Sequence, residues 1–138
     1  CVPYIDRTFG AKDREHWLMG YSLAGLFALW TSYENDAFSG IICCSGSLWF
    51  PEWDHYMREH MLRSKCSVYL SLGGKEEKTR NKIMAAVGDR TRAQEERLEE
   101  DSMVESVVLE WNAGGHFADA GKRLAKGVRW MFGAKNGL

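Results

Sequence analysis

The chain has 138 residues, 45% hydrophobic and 27% charged, with a formal net charge of −1. That length makes one domain at most, long enough for a real core, and the composition is ordinary for a soluble globular protein. The near-neutral balance excludes a strongly basic nucleic-acid or anionic-membrane binder, and no apolar run approaches the roughly 18 residues of a spanning helix. No signal peptide is visible, although one would be hidden if the natural N-terminus lay further upstream.

In chain order, residues 15–20 read as a strand around Trp17-Leu18-Met19, and 23–33 as an apolar helix. Residues 39–45, with Gly40-Ile41-Ile42-Cys43-Cys44, form a second, buried strand. The segment 51–63 reads as a helix, with Pro51 suited to a first-turn position. Residues 67–72 form a third strand. A long charged helix covers about 79–100, with Ile83, Met84 and Val87 on its buried face. Residues 104–111 form a fourth strand, and 119–132 a last helix with Leu124, Val128 and Met131 toward the core. This alternation implies an α/β protein with a parallel sheet and right-handed crossovers.

The four cysteines make no disulfide framework. Cys43 and Cys44 sit in a buried strand, where thiols act as small hydrophobes, Cys66 opens the next strand and Cys1 is terminal. No C-x-x-C spacing suggests a metal, and no metal or cofactor is expected. Reduced thiols favour a cytoplasmic origin. A vicinal Cys43–Cys44 bridge is the alternative.

Three segments carry chemistry. Gly20-Tyr21-Ser22-Leu23-Ala24-Gly25 lies where the first strand turns into a helix. Small residues flank one serine, as in a nucleophile elbow, where a tight turn pushes the hydroxyl out of the sheet. The following N–H, that of Leu23, then points toward a developing oxyanion. Ala24 stands where the usual G-x-S-x-G pattern has its second glycine. The competing reading makes Ser22 a helix N-cap.

Gly114-Gly115-His116-Phe117 follows the fourth strand, and a histidine on such a loop is free to swing over a neighbouring strand. Between them, Gly73-Gly74-Lys75-Glu76-Glu77 follows the third strand with two carboxylates. One of these can hold the tautomer of His116. Glu76 is favoured as the acid and Glu77 is the runner-up, each also suited to the first turn of the next helix. The order Ser, acid, His is that of α/β-hydrolases. All three lie at strand C-terminal ends, where open α/β sheets place their sites.

On the segments 20–29, 45–49 (Ser-Gly-Ser-Leu-Trp), 72–77 and 114–117, the chain resembles the C-terminal part of an α/β-hydrolase esterase of the putative-esterase group, which includes esterase D and enterochelin-esterase-like hydrolases. The resemblance implies Ser22 as nucleophile and His116 as base. It also implies several further strands, and usually one oxyanion donor, before the elbow. Only about nineteen residues precede it here. The expected fold is therefore the C-terminal half of a three-layer α/β-hydrolase, about four strands with their helices, as one partial domain over 1–138. Its bare first strand is expected to pair with an N-terminal half or to self-associate.

The expected activity is hydrolysis of a small-molecule carboxylic ester through an acyl-enzyme on Ser22, with Glu76 and His116. The Leu23 N–H supplies one oxyanion donor. Tyr21 and Trp49 are candidates to line the substrate pocket, Trp49 reading equally well as a core aromatic. Asp119 either orients the histidine loop or caps the last helix. The alternative function is a catalytically impaired hydrolase-fold module that binds or scaffolds.

Overall fold

The computed structural model describes residues 1–137. The elements run α1 (Val2–Phe9), β1 (Trp17–Tyr21), α2 (Leu23–Glu34), β2 (Gly40–Cys44), α3 (Trp53–Glu59), β3 (Cys66–Gly73), α4 (Lys82–Ala85), α5 (Val87–Glu99), β4 (Val104–Asn112) and α6 (Ala120–Asn136), with a 3₁₀ turn at Glu76–Lys78. The four strands form one parallel sheet in the order β1-β2-β3-β4. Each strand therefore returns through a helix, and all four C-terminal ends lie along one edge of the sheet.

Strand alternation divides the core between two faces. Ile41, Cys43, Val68 and Leu70 point to one side, against Leu26 and Leu29 of α2, Met57 of α3 and Leu98 of α5. Ile42, Cys44 and Tyr69 point to the other, against Met131, Leu124 and Val128 of α6. The result is three layers. Cys43 and Cys44 thus belong to opposite faces, and both are free thiols, so the vicinal bridge does not form. A polar chain ties the first layer together: Trp53 Nε1 donates to Gln94 Oε1 at 3.0 Å, and Gln94 Nε2 donates to the Tyr33 hydroxyl at 2.9 Å.

Several expected boundaries move. A short helix, α1, opens the chain unannounced, with Pro in its first turn and Gly10 (φ 61) ending it. The helix expected over 51–63 runs only Trp53–Glu59. Beyond it, the Leu62 N–H is taken by Asp101 Oδ2 at 2.9 Å and the Arg63 N–H by the Ser32 carbonyl at 3.0 Å, which draws the chain into an extended path.

The long helix expected over 79–100 is split into α4 and α5, and the 3₁₀ turn lies just before that span. Asn81 caps a fresh start by accepting from the Ile83 and Met84 N–H groups. Ile83 and Met84 are consequently exposed rather than core-facing, while Val87 is buried as expected. The last helix extends four residues beyond the expected end, from 132 to 136. No helix among the described residues is long and apolar enough to cross a membrane.

Candidate active site

The turn at Ser22 is built by its neighbours. A Cβ on Gly20 would lie 2.0 Å from the Ala24 carbonyl oxygen, so only glycine lets the strand end pass this close to the helix start. Ala24 itself is exposed, so a methyl is tolerated where the pattern has glycine. Ser22 adopts φ 59 and ψ −123, a conformation costly for a residue with a side chain. Its hydroxyl makes no helix-cap hydrogen bond. The Leu23 N–H is at the first helical position, where the ladder offers it no carbonyl.

The Ser22 hydroxyl lies 3.1 Å from His116 Nε2, and Ser47 Oγ is its other hydroxyl neighbour, at 3.4 Å. His116 Nδ1 is 2.8 Å from Glu76 Oε2. The three side chains come from three different strand ends and form one line. Glu77 takes no part: it faces away and accepts from Arg92, with Nη2–Oε2 at 3.0 Å.

Glu76 is buried and its second oxygen is fully engaged. Oε1 accepts from the Ser45 hydroxyl at 2.7 Å, the Gly73 N–H at 2.8 Å and Arg123 Nη1 at 3.0 Å. Burial alone would raise its pKa. The hydrogen bonds from Ser45, His116, Gly73 and Arg123 outweigh that and hold the carboxyl below its ordinary range. Glu76 is therefore an anion at neutral pH, aimed at the imidazole.

The His116 loop is fixed from beneath. The Tyr21 hydroxyl donates to the His116 carbonyl at 2.5 Å, and Gly114 takes φ 89, open to glycine without cost. Tyr21 also accepts from Arg123 and lies 3.3 Å from the Ser45 hydroxyl, so its ring supports the loop from beneath and lies outside the pocket beside His116 and Glu76. Trp49, half-buried, does line that pocket, with Lys75, Met84, Val87, His116 and Phe117, around about 260 Å³. Asp119 sits at the N-cap position of α6 without a capping bond, and pairs instead with Lys122 at 3.0 Å.

Sequence reading missed two residues, Ser45 and Arg123. Ser45 follows β2 with φ 46, a strained turn beside the acid. Arg123 has 1% of its surface exposed. The available signal was spacing: Arg123, Gly127 and Met131 recur every four residues on the buried face of α6.

A three-layer parallel sheet with an elbow serine, a loop histidine and a buried acid at its C-terminal edge defines an α/β-hydrolase fold, here in part. The chain belongs to the family described as putative esterase, whose pattern it matches over residues 1–131. No curated protein sequence matches it.

Among solved structures it is similar to the siderophore hydrolase EstA from Aspergillus nidulans, at 16% identity and TM-score 0.71, covering 94% of this chain and 52% of that one. It is also similar to the siderophore hydrolase EstB from the same organism, at 18% identity and TM-score 0.62, covering 91% and 55%. An esterase of Pyrococcus furiosus matches at 14% identity and TM-score 0.57, covering 94% and 59%. The chain thus spans a little over half the length of these structures. At such identities the likeness is one of fold.

Proposed function

We propose that this chain carries the acyl-transfer machinery of a serine esterase, with Ser22 as nucleophile, His116 as general base and Glu76 as the acid that orients and charges the imidazole. The observation that carries the reading is the unbroken line from Ser22 Oγ to His116 Nε2 (3.1 Å) and from His116 Nδ1 to Glu76 Oε2 (2.8 Å), on a serine whose backbone is strained.

In this reading His116 accepts the Ser22 proton as the oxygen attacks an ester carbonyl. The Leu23 N–H receives the developing oxyanion. The tetrahedral intermediate collapses with the proton passing from His116 to the leaving alcohol. Water, deprotonated by His116, then releases the acid and restores Ser22. The pocket lined by Trp49, Met84, Val87 and Phe117 takes the apolar part of the substrate, and Lys75 at its rim favours an ester bearing negative charge. Siderophore esters join short acyl esters in a first screen, because two of the fold relatives are siderophore hydrolases.

The test is p-nitrophenyl acetate hydrolysis by wild type and Ser22→Ala. We expect turnover with an initial acyl-enzyme burst in the wild type and neither in the variant. Folded wild-type protein with no burst and no turnover would favour the alternative, a hydrolase-fold module that binds without cleaving.

The chain's span of its relatives also bears on assembly. We propose that β1, an edge strand in this structure, and the apolar outer face of α2 beside it are covered in the working protein, by the N-terminal part of a hydrolase domain or by a second copy.

A further inference from the structure

Outside the triad, the most unusual side chain in the molecule is Arg123. It projects from α6 into the interior beneath the site and is 1% exposed. A guanidinium is rarely left buried unless its donors are used. Here Nη1 donates to Glu76 Oε1 at 3.0 Å, to the Ser45 hydroxyl at 2.8 Å and to the Tyr21 hydroxyl at 3.2 Å. Nη2 donates to two carbonyls of the histidine loop, Ala113 at 3.2 Å and Gly115 at 2.9 Å. Nε has no partner. One planar fork thus joins the acid, the residue before the histidine and the tyrosine that supports the histidine carbonyl.

We propose that Arg123 is a positioning residue for the Glu76–His116 pair, which locks the carboxylate and the histidine loop into one rigid unit at the distance proton transfer needs. This inference rests on the serine-esterase reading above. The loop that bears His116 has two glycines and no secondary structure of its own, so its placement needs external bonds. Two of the bonds it receives come from Arg123 and one from Tyr21, which Arg123 also holds.

Glycine at position 73 makes room for this: a Cβ there would lie 2.7 Å from Arg123 Nη2 and 2.6 Å from the Gly114 carbonyl oxygen. Lysine could not replace the fork, because a single ammonium on a flexible stem cannot span the carboxylate and both carbonyls.

Arg123 also supplies the fixed positive charge in hydrogen-bond contact with the pair. The other titratable groups on the neighbouring elements are paired elsewhere, neutral or exposed. Glu77 is tied to Arg92 of α5, and Asp119 to Lys122 of α6. The Cys44 thiol from β2 is pushed up to about 11 by burial and stays neutral. Tyr21 from β1 is engaged through its hydroxyl, and Lys75 stands at the pocket mouth. Removing Arg123 therefore takes away one of the hydrogen bonds that hold the Glu76 carboxyl below its ordinary range.

The experiment is the rate of fluorophosphonate labelling against pH for wild type, Arg123→Gln and Arg123→Lys, with folding checked by circular dichroism and Ser22→Ala as the blank. We expect Arg123→Gln to label at least about tenfold more slowly at pH 7. We also expect its acid limb to move to higher pH. Arg123→Lys should return the limb to the wild-type position, because the charge is back, while labelling stays slow because the fork is lost.

A folded Arg123→Gln with wild-type rate and limb would overturn the proposal. So would a slowed Arg123→Gln whose limb has not moved, since a merely loosened loop lowers the rate at every pH. Should Arg123→Gln fail to fold, Arg123→Met is read by the same two criteria, and an Arg123→Lys that labels as wild type refutes the proposal by itself. A wild type that labels no faster than Ser22→Ala would instead bring down the esterase reading, and this inference with it.

Discussion

The two ends of the sheet are built differently. At the β3–β4 end, the site corner is closed: Glu76 keeps 7% of its surface, Arg123 keeps 1%, and one oxygen of the acid takes three hydrogen bonds. At the β1 end, α2 presents Leu23, Phe27 and Trp30 at 59%, 56% and 40% exposure, beside a groove of about 390 Å³ that Phe50, Pro51 and Tyr56 also line. Leu23 directly follows the proposed nucleophile, so Ser22 stands on the boundary between these regions. The contrast teaches that the acid–base half of the proposed machinery is complete within this chain. The proposed oxyanion side has the Leu23 N–H and an open apolar flank next to it.

Mutations should separate the two ends. The largest effect belongs to Glu76→Gln, which keeps shape but removes the anion that fixes the His116 tautomer; esterase turnover should fall by about 10⁴. A drop of less than tenfold, measured with p-nitrophenyl acetate, would make the closed corner structural rather than chemical. Next comes Gly73→Ala, whose Cβ would meet the Gly114 carbonyl oxygen at 2.6 Å and Glu76 Oε1 at 2.9 Å. Displacing the histidine loop by an ångström should cost about 100-fold in rate. Retained activity at wild-type levels would show that the corner tolerates more movement than its packing suggests.

A smaller effect concerns acid. The folded-state pKa of Glu76 is held below its ordinary value of 4.5, so the stability it contributes is fully present above that value. It is lost as the pH falls through the lower folded-state value. Urea midpoints measured from pH 7 down to 3 should decline more steeply in wild type than in Glu76→Gln. Equal slopes would deny the acid its depressed pKa.

The smallest change is at the other end. Phe27→Ser on the exposed face of α2 should alter monomer stability by no more than about 0.5 kcal/mol. It should also weaken self-association measured by light scattering. A wild-type chain that is a well-behaved monomer at high concentration would argue that no copy covers this flank.

Much of this was readable from residues alone, for local reasons. The strand-helix alternation and the small residues around Ser22 are short-range signals, and each of Ser22, Glu76 and His116 follows its strand within a few positions. The structure brings these three together and leaves Glu77 with Arg92. Long-range features were not legible. Arg123 sits in a helix whose Lys122, Lys126 and Arg129 are exposed, and only the fold reveals that its side faces the acid. Tyr21 and Trp49 were equivalent aromatics in sequence. The parallel register turns one beneath the loop and leaves the other on the pocket wall. Ile83 and Met84 carried a helical pattern, but the Asn81 cap restarted the helix and left them outside the core.

The central claim is that Ser22 is activated by the line through His116 to Glu76. Its most direct test is intact-mass analysis after treatment with a fluorophosphonate, beside Ser22→Ala. We predict a single covalent adduct on wild type and none on the variant. A folded wild-type chain that takes up no adduct, or a Ser22→Ala variant that takes up the same one, would contradict the account.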